Sequence, residues 1–181
     1  EVDITDMMAA RGERPFFLSL LYAAVRAANG VPQLRRRLLE DGQVAEYDWC
    51  APSYTVMKPD GVYVYCTVEG DLLYDEFVAR GQRRQREVLE RGTLTEDGDI
   101  RSCLFVSSVP WLHYTHAQNP MENPSDSNPR INWGKYVTRD GRTTLPVTLT
   151  VHHALADGLH ISRFYENLDR ELAALAENWS K

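Results

Sequence analysis

The densest cluster of reactive side chains in the sequence is Val151-His152-His153-Ala154-Leu155-Ala156-Asp157-Gly158-Leu159-His160, where a strand-like stretch gives way to a helix-like one. Such junctions commonly carry active sites, because they aim side chains out of a rigid sheet. Three kinds of chemistry fit this cluster. Asp157 before Gly158 can act simply as the N-cap of the following helix, with the histidines packed as core residues. His153, Asp157 and His160, spaced by four and three, could bind a divalent metal from one helix face, but a helix that begins at Asp157-Gly158 would not bring all three to that face. Alternatively, one histidine serves as general base for a hydroxyl, its pKa set near neutrality by partial burial. The residues by themselves leave all three open.

Other candidates are weaker when taken singly. Ser107 lies at the end of the apolar run CLFVSSV, where a serine is unremarkable, and Trp111, Lys135 and Tyr136 are equally at home in surface or core packing. Cys50, Cys66 and Cys103 are odd in number and show no CxxC spacing, so they read as buried free thiols in a reducing cytosol.

The elements that must position these residues follow from periodicity. Phe16, Leu20, Ala23 and Ala27 recur at helical spacing from Pro15 to Ala28, and Asn29-Gly30 reads as the stop. Strand character then runs through Leu34 to Glu40, Val44 to Tyr47, Tyr54 to Met57 and Val62 to Val68, with Pro59-Asp60-Gly61 marking a hairpin between the last two. A second helix is expected over residues 71–91, its run GQRRQREVLERG being a solvated face rather than a nucleic-acid patch. After a loop from Gly92 to Ile100 come a strand over 103–109 and an Asn/Pro/Ser-rich excursion from Gln118 to Arg130. Strands Ile131 to Thr138 and Leu145 to His152 follow, joined by the turn Arg139-Asp140-Gly141-Arg142, and an amphipathic helix over 158–177 closes the chain.

No repeat or linker divides the 181 residues, and 43% apolar composition suffices for one core, so a single α/β domain is expected over 1–181. A net charge of −6 gives no overall attraction for a polyanion. Neither a signal peptide nor a run of about 20 apolar residues is present, which predicts a soluble, cytoplasmic protein. Glu1-Val2-Asp3-Ile4-Thr5 reads as the end of a strand, and an N-terminal segment is expected upstream of it.

The run HHALADG resembles the HHxxxDG signature of chloramphenicol acetyltransferases. SSVPWLHY at 107–114 resembles the Ser-x-x-Pro-Trp strand end of that family, and GKY at 134–136 its Gly-Lys-Tyr. LPVTLTVHHALADGLHISRFYENL keeps the order of lead-in, signature and closing helix, and EVDITDMM, PFFLSLLYAAVRAANGVPQLRRRL and CAPSYTV resemble upstream segments. Shorter forms of the signature occur in dihydrolipoyl acyltransferases, plant acyltransferases and peptide-synthetase condensation domains, but the additional blocks favour the chloramphenicol acetyltransferase type.

The resemblance implies a two-layer α/β sandwich, a mixed sheet covered by helices, assembled as a C3 homotrimer with active sites between subunits. It implies acetyl transfer from acetyl-CoA, as co-substrate, to a hydroxylated small molecule, with no metal. His153 would be the general base, Ser107 the oxyanion donor, and Asp157 a structural partner of an arginine upstream of Glu1. Trp111, Lys135 and Tyr136 would line the coenzyme A channel, whereas His152 would be structural. The departures gather on the acceptor side: Ala117 replaces a usual phenylalanine, Asn132 replaces a threonine that usually holds a catalytic water, and Gly92 to Ile100 and the segment after Ala117 depart from the family pattern. Chloramphenicol is therefore one candidate acceptor, antibiotic resistance one role, and a binding or degenerate member of the fold the alternative.

Overall fold

The computed structural model describes residues 1–93, 98–119 and 126–181; residues 94–97 of the expected loop and 120–125 of the expected excursion lie outside the described residues. Strand β1 (Val2–Asp3) and helix α1 (Thr5–Ala10) open the chain. The short α1 has no apolar period to announce it; it is nucleated by the Asp3 carboxylate, which accepts the Thr5 N–H at 2.9 Å. The next helix, α2 (Phe16–Asn29), is buried nearly all round, with Leu20, Leu21, Ala23, Ala24, Ala27 and Ala28 at most 1% exposed. A helix apolar on every side belongs at the centre of a core.

The end of α2 differs from the expected glycine stop. Gly30 has φ −68°, not a left-handed value. Its lack of a side chain matters for another reason: a Cβ there would lie 2.8 Å from Asn167 Nδ2, which donates to the Ala27 carbonyl at 3.1 Å. Asn29 does the terminating. Its Nδ2 donates to Val25 O and Cys50 O, both at 2.9 Å, while its Oδ1 accepts the Cys50 N–H at 2.7 Å, so the helix end is tied to the strand that follows.

The expected strand Leu34 to Glu40 is shorter than predicted. Pro32–Arg35 forms a 3-10 turn, because proline fits the first turn of a helix, and only β2 (Arg36–Leu38) pairs, with β3 (Val44–Glu46). Strands β4 (Ala51–Met57) and β5 (Tyr63–Thr67) form the expected hairpin, and α3 (Tyr74–Arg91) then crosses to β6 (Cys103–Val109). The expected strand Ile131 to Thr138 is two strands, β7 (Arg130–Gly134) and β8 (Val137–Arg139). Likewise Leu145 to His152 is divided between β9 (Arg142–Leu145) and β10 (Val147–Thr150), with Pro146, which has no N–H to give a ladder, at the break. The hairpin turn between β8 and β9 is where it was expected, with Asp140 and Gly141 at φ 51° and 77°. Helix α4 (Gly158–Trp179) closes the chain.

The main sheet has the order β10-β7-β6-β4-β5 and is mixed: β4, β6 and β7 are parallel, and the edge strands are antiparallel to their neighbours. A small antiparallel sheet has the order β1-β9-β8. Register places Cys66, Tyr54, Val106, Ile131 and Leu149 in one row across the main sheet, all buried. Helix α2 covers this face, the Phe17 ring packing at a tilt against Tyr54 and Trp133 with centroids 5.1 Å and 5.4 Å away. Because successive side chains alternate across a strand, Ser107, Asn132 and Thr148 form a polar row on the other face.

The cysteines are free and buried, as expected. Two of them surround an unexpected group. Arg37, 1% exposed, sends its guanidinium to the carbonyls of Leu34, Arg36, Arg101 and Cys103 at 2.7–3.0 Å and to Cys50 Sγ at 3.3 Å. Burial holds its pKa below the ordinary arginine value, with the neighbouring Cys50 thiol acting in the opposite sense. The cation thus joins the first hairpin to the start of β6 by donating to backbone carbonyls on both sides.

Two stability predictions follow from these contacts. Arg37→Ala should lower the unfolding free energy by about 3–5 kcal/mol in urea titration, the range for breaking a buried charged network, and a loss under about 1 kcal/mol would contradict the role given to it. Gly134→Ala would bring a Cβ within 2.6 Å of the Leu112 carbonyl oxygen and 2.9 Å of Pro146 Cγ. Neither group can swing aside, so a destabilisation of about 1–3 kcal/mol is expected in thermal unfolding.

Candidate active site

The loop from β10 to α4 is held from both sides of His153. On one side the His152 carbonyl accepts the N–H groups of Leu155 at 2.9 Å and Ala156 at 3.1 Å, and His152 Nδ1 accepts the Ala154 N–H at 3.3 Å. On the other, Asp157 caps α4: its Oδ1 accepts the Leu159 N–H at 3.0 Å, and His160 Nδ1 accepts the Asp157 N–H at 3.1 Å to complete a capping box. Partial desolvation would raise the Asp157 pKa, but the His160 N–H and the nearby imidazole outweigh it and hold the carboxyl below its usual value. Ala156, 3% exposed, anchors the loop in the core. His153 is left exposed at the crest of the turn, and its imidazole makes no hydrogen bond among the described residues.

The N-cap expected of Asp157 is therefore present. His160 turns to Asp157, while His153 lines a depression of about 480 Å³ to which His160 does not contribute. Among the described residues these three side chains form no common metal-ligand group. The depression is walled by Thr148 and Thr150 of β10, by Ile161 of α4, and by His116, Ala117 and Gln118 from the segment after Trp111.

Ser107 is half-buried on β6 and paired in register with Asn132, which is paired in turn with Thr148. Strand β7 thus lies between Ser107 and the strand that leads to His153. Two strand spacings amount to roughly 9–10 Å, and His153 lies beyond the end of β10, so within one chain these two residues do not converge on one reacting atom. The Tyr114 hydroxyl is buried beside Thr148, and its pKa is raised chiefly by that burial.

Trp111, Lys135 and Tyr136 are brought together by a backbone crossing. The Lys135 N–H donates to the Leu112 carbonyl at 2.7 Å, which seats the Pro110–Tyr114 segment against the exit of β7. His113 reinforces the crossing, its Nδ1 2.9 Å from the Lys135 carbonyl and its Nε2 3.0 Å from a carboxylate oxygen of Glu1. Trp111 is 69% exposed and Tyr136 41% exposed, with the Tyr136 ring edge-on to Phe16 at 5.3 Å and Lys135 exposed between them in sequence. The family resemblance implied no role for His113, His116 or His160. Of these, only His160 carried a local signal, three residues after a capping aspartate.

A family model described as chloramphenicol acetyltransferase matches residues 1–169. A chloramphenicol acetyltransferase of Clostridium perfringens is 30% identical over 166 residues, covering 89% of this chain and 74% of the relative. One of Streptomyces acrimycini is 29% identical over 181 residues, covering 96% and 81%. The solved structure of a chloramphenicol acetyltransferase superposes with a TM-score of 0.74 at 29% identity, over 93% of this chain and 82% of that one. The dihydrolipoamide acetyltransferase of Azotobacter vinelandii, at 22% identity and a TM-score of 0.75 over 95% and 78%, shares the fold. With a family match that runs through the signature loop and into the closing helix, the chain belongs to the chloramphenicol acetyltransferase family and is an acyltransferase.

Proposed function

We propose that the protein transfers the acetyl group of acetyl-CoA to a hydroxyl of a small molecule, with His153 as general base. The observation that carries this reading is the imidazole of His153, exposed and free of hydrogen bonds among the described residues, beside a cavity and on a loop immobilised by His152 and Asp157. An imidazole, with one ring nitrogen to accept a proton and release it again, can take the acceptor's proton as its oxygen attacks the thioester and return it to the departing thiolate. Ser107 donates to the oxyanion, and Asp157 acts through the loop it caps rather than on the substrate.

Trp111, Lys135 and Tyr136 suit the coenzyme A end of the donor. Exposed rings offer a surface for an adenine, and a lysine offsets phosphate charge. No metal has a part in this scheme, since proton transfer and oxyanion stabilisation are supplied by side chains. Three free buried thiols accord with a cytoplasmic setting.

The working form in this reading is a homotrimer with sites between subunits. The separation of Ser107 from His153 in one chain supports it, because a second copy can supply the missing half of each site. On the acceptor side, Ala117 stands in the wall of the depression without the ring a phenylalanine would offer, so chloramphenicol heads a panel of hydroxylated acceptors rather than standing alone.

Thiol release from acetyl-CoA with that panel tests the chemistry. His153→Ala should lower turnover by about 10² to 10⁴, as expected for removal of a general base. A variant within twofold of the parent would exclude His153, and silence of the parent on every acceptor would return the chain to the non-catalytic alternative. Shared sites have a separate signature: His153→Ala and Ser107→Ala subunits, each inactive alone, should regain activity when unfolded and refolded together. Mixed subunits that stay inactive while forming trimers would place each site within one chain.

A further inference from the structure

Asn132 is 5% exposed on the central strand β7, and among the described residues its carboxamide makes no hydrogen bond. The buried amide of Asn29, by contrast, makes three hydrogen bonds. A carboxamide in mid-sheet with no partner among the described residues is available to a group that is not part of the chain.

Its neighbours identify that group. Asn132 is directly opposite Ser107 on β6, on the face of the sheet that α2 does not cover, and the Ser107 hydroxyl also makes no hydrogen bond among the described residues. Side chains opposite one another in adjacent strands have Cβ atoms roughly 5 Å apart, so a hydroxyl and an amide there can both reach one atom above the sheet. Strands β6 and β7 are parallel, and beyond Ser107 and Asn132 they exit towards Trp111 and towards Lys135 and Tyr136. A thioester whose coenzyme A end rests on those exits brings its carbonyl back over the two free donors.

Resting on the acetyl-transfer reading above, we propose that Asn132 is a catalytic residue, a second oxyanion donor whose Nδ2–H binds the thioester carbonyl oxygen directly beside the Ser107 hydroxyl. When the acceptor oxygen bonds to the carbonyl carbon, its proton passes to His153 and the C=O π pair moves onto the carbonyl oxygen. Ser107 and Asn132 hold that anion. As the pair returns to re-form C=O, the C–S bond breaks with its electrons on sulfur, and the proton on His153 passes to the thiolate, leaving the acetyl ester and free coenzyme A. A donor that meets only a neutral carbonyl before the attack, and an anion after it, lowers the barrier more than it tightens substrate binding.

The test compares Asn132→Leu, Asn132→Asp, Ser107→Ala and His153→Ala in the full chain, reading kcat, KM for acetyl-CoA and for the acceptor, and Tm. Because the Asn132 carboxamide makes no hydrogen bond among the described residues, replacing it by an apolar group of similar volume should leave Tm close to the parent's. With Asn132→Leu, kcat should fall about 10²- to 10³-fold while both KM values stay within about threefold. Asn132→Asp keeps the shape but removes the donor, and should fall at least as far. The donor assignment is overturned if Asn132→Leu keeps kcat within threefold while His153→Ala abolishes turnover, or if kcat falls only together with Tm in both Asn132 variants, which would make Asn132 a packing residue. If His153→Ala leaves turnover intact, the acetyl-transfer reading itself fails.

Discussion

At the exit of β7 the Leu112 carbonyl lies 2.7 Å from the Lys135 N–H, in space that the side chain of any residue but glycine at 134 would claim. Much of the candidate site depends on that crossing. It ends β7 in the main sheet and lets the chain turn into β8 of the small one. It sets Trp111 beside Lys135 and Tyr136, and it sends the following residues on to His116, Ala117 and Gln118 at the wall of the His153 depression. One missing Cβ therefore couples the region assigned to the donor to the region assigned to the acceptor. His113, bonded to the Lys135 carbonyl and to Glu1, ties the same crossing to the first residue of the chain.

The signature loop obeys a different economy of groups. A turn that leaves a strand for a helix must satisfy the first N–H groups of that helix, and Asp157 with His160 meets the need locally. His152 does the same for the turn before it. With neighbours on both sides committed to backbone, His153 is the side chain with nothing to do for the fold. Caps of this kind contribute about 1 kcal/mol each, little for stability but enough to fix a backbone position that a proton-transfer group needs. The capping and general-base explanations of this cluster thus describe different residues of one loop, and they do not compete.

What could be read in the sequence follows the range of the forces concerned. Helix α2, the hairpin around Pro59-Asp60-Gly61 and the turn at Asp140-Gly141 were legible because propensity and periodicity are local. Ile131 to Thr138 and Leu145 to His152 read as continuous strands because their side chains favour extended backbone; the breaks come from a crossing segment and from Pro146, and the first leaves no mark on propensity. Gly30 looked like a helix stop, yet it is required by Asn167, far away in the chain. The buried Arg37 was indistinguishable from its neighbours Arg35 and Arg36, since only the fold decides which of three arginines points inward. His153, Ser107 and the residues of the crossing were found through resemblance, whereas the pairing of Ser107 with Asn132 is a fact of register that no single segment encodes.

That register gives the sheet two characters. Towards α2 it presents Tyr54, Val106, Ile131 and Leu149, closed by packing; on the other side it presents Ser107, Asn132 and Thr148, two of them with polar groups that nothing in the described chain satisfies. A face of this kind is unfinished. Apolar side chains there would have been satisfied by any cover, but unpaired donors demand an acceptor in a particular place. His153, beyond the end of β10 and two strands from Ser107, is equally incomplete on its own. A donor row without its base and a base without its donor row are complementary halves. Their separation makes assembly with a second copy the simplest way to bring an imidazole and an oxyanion site to the same thioester.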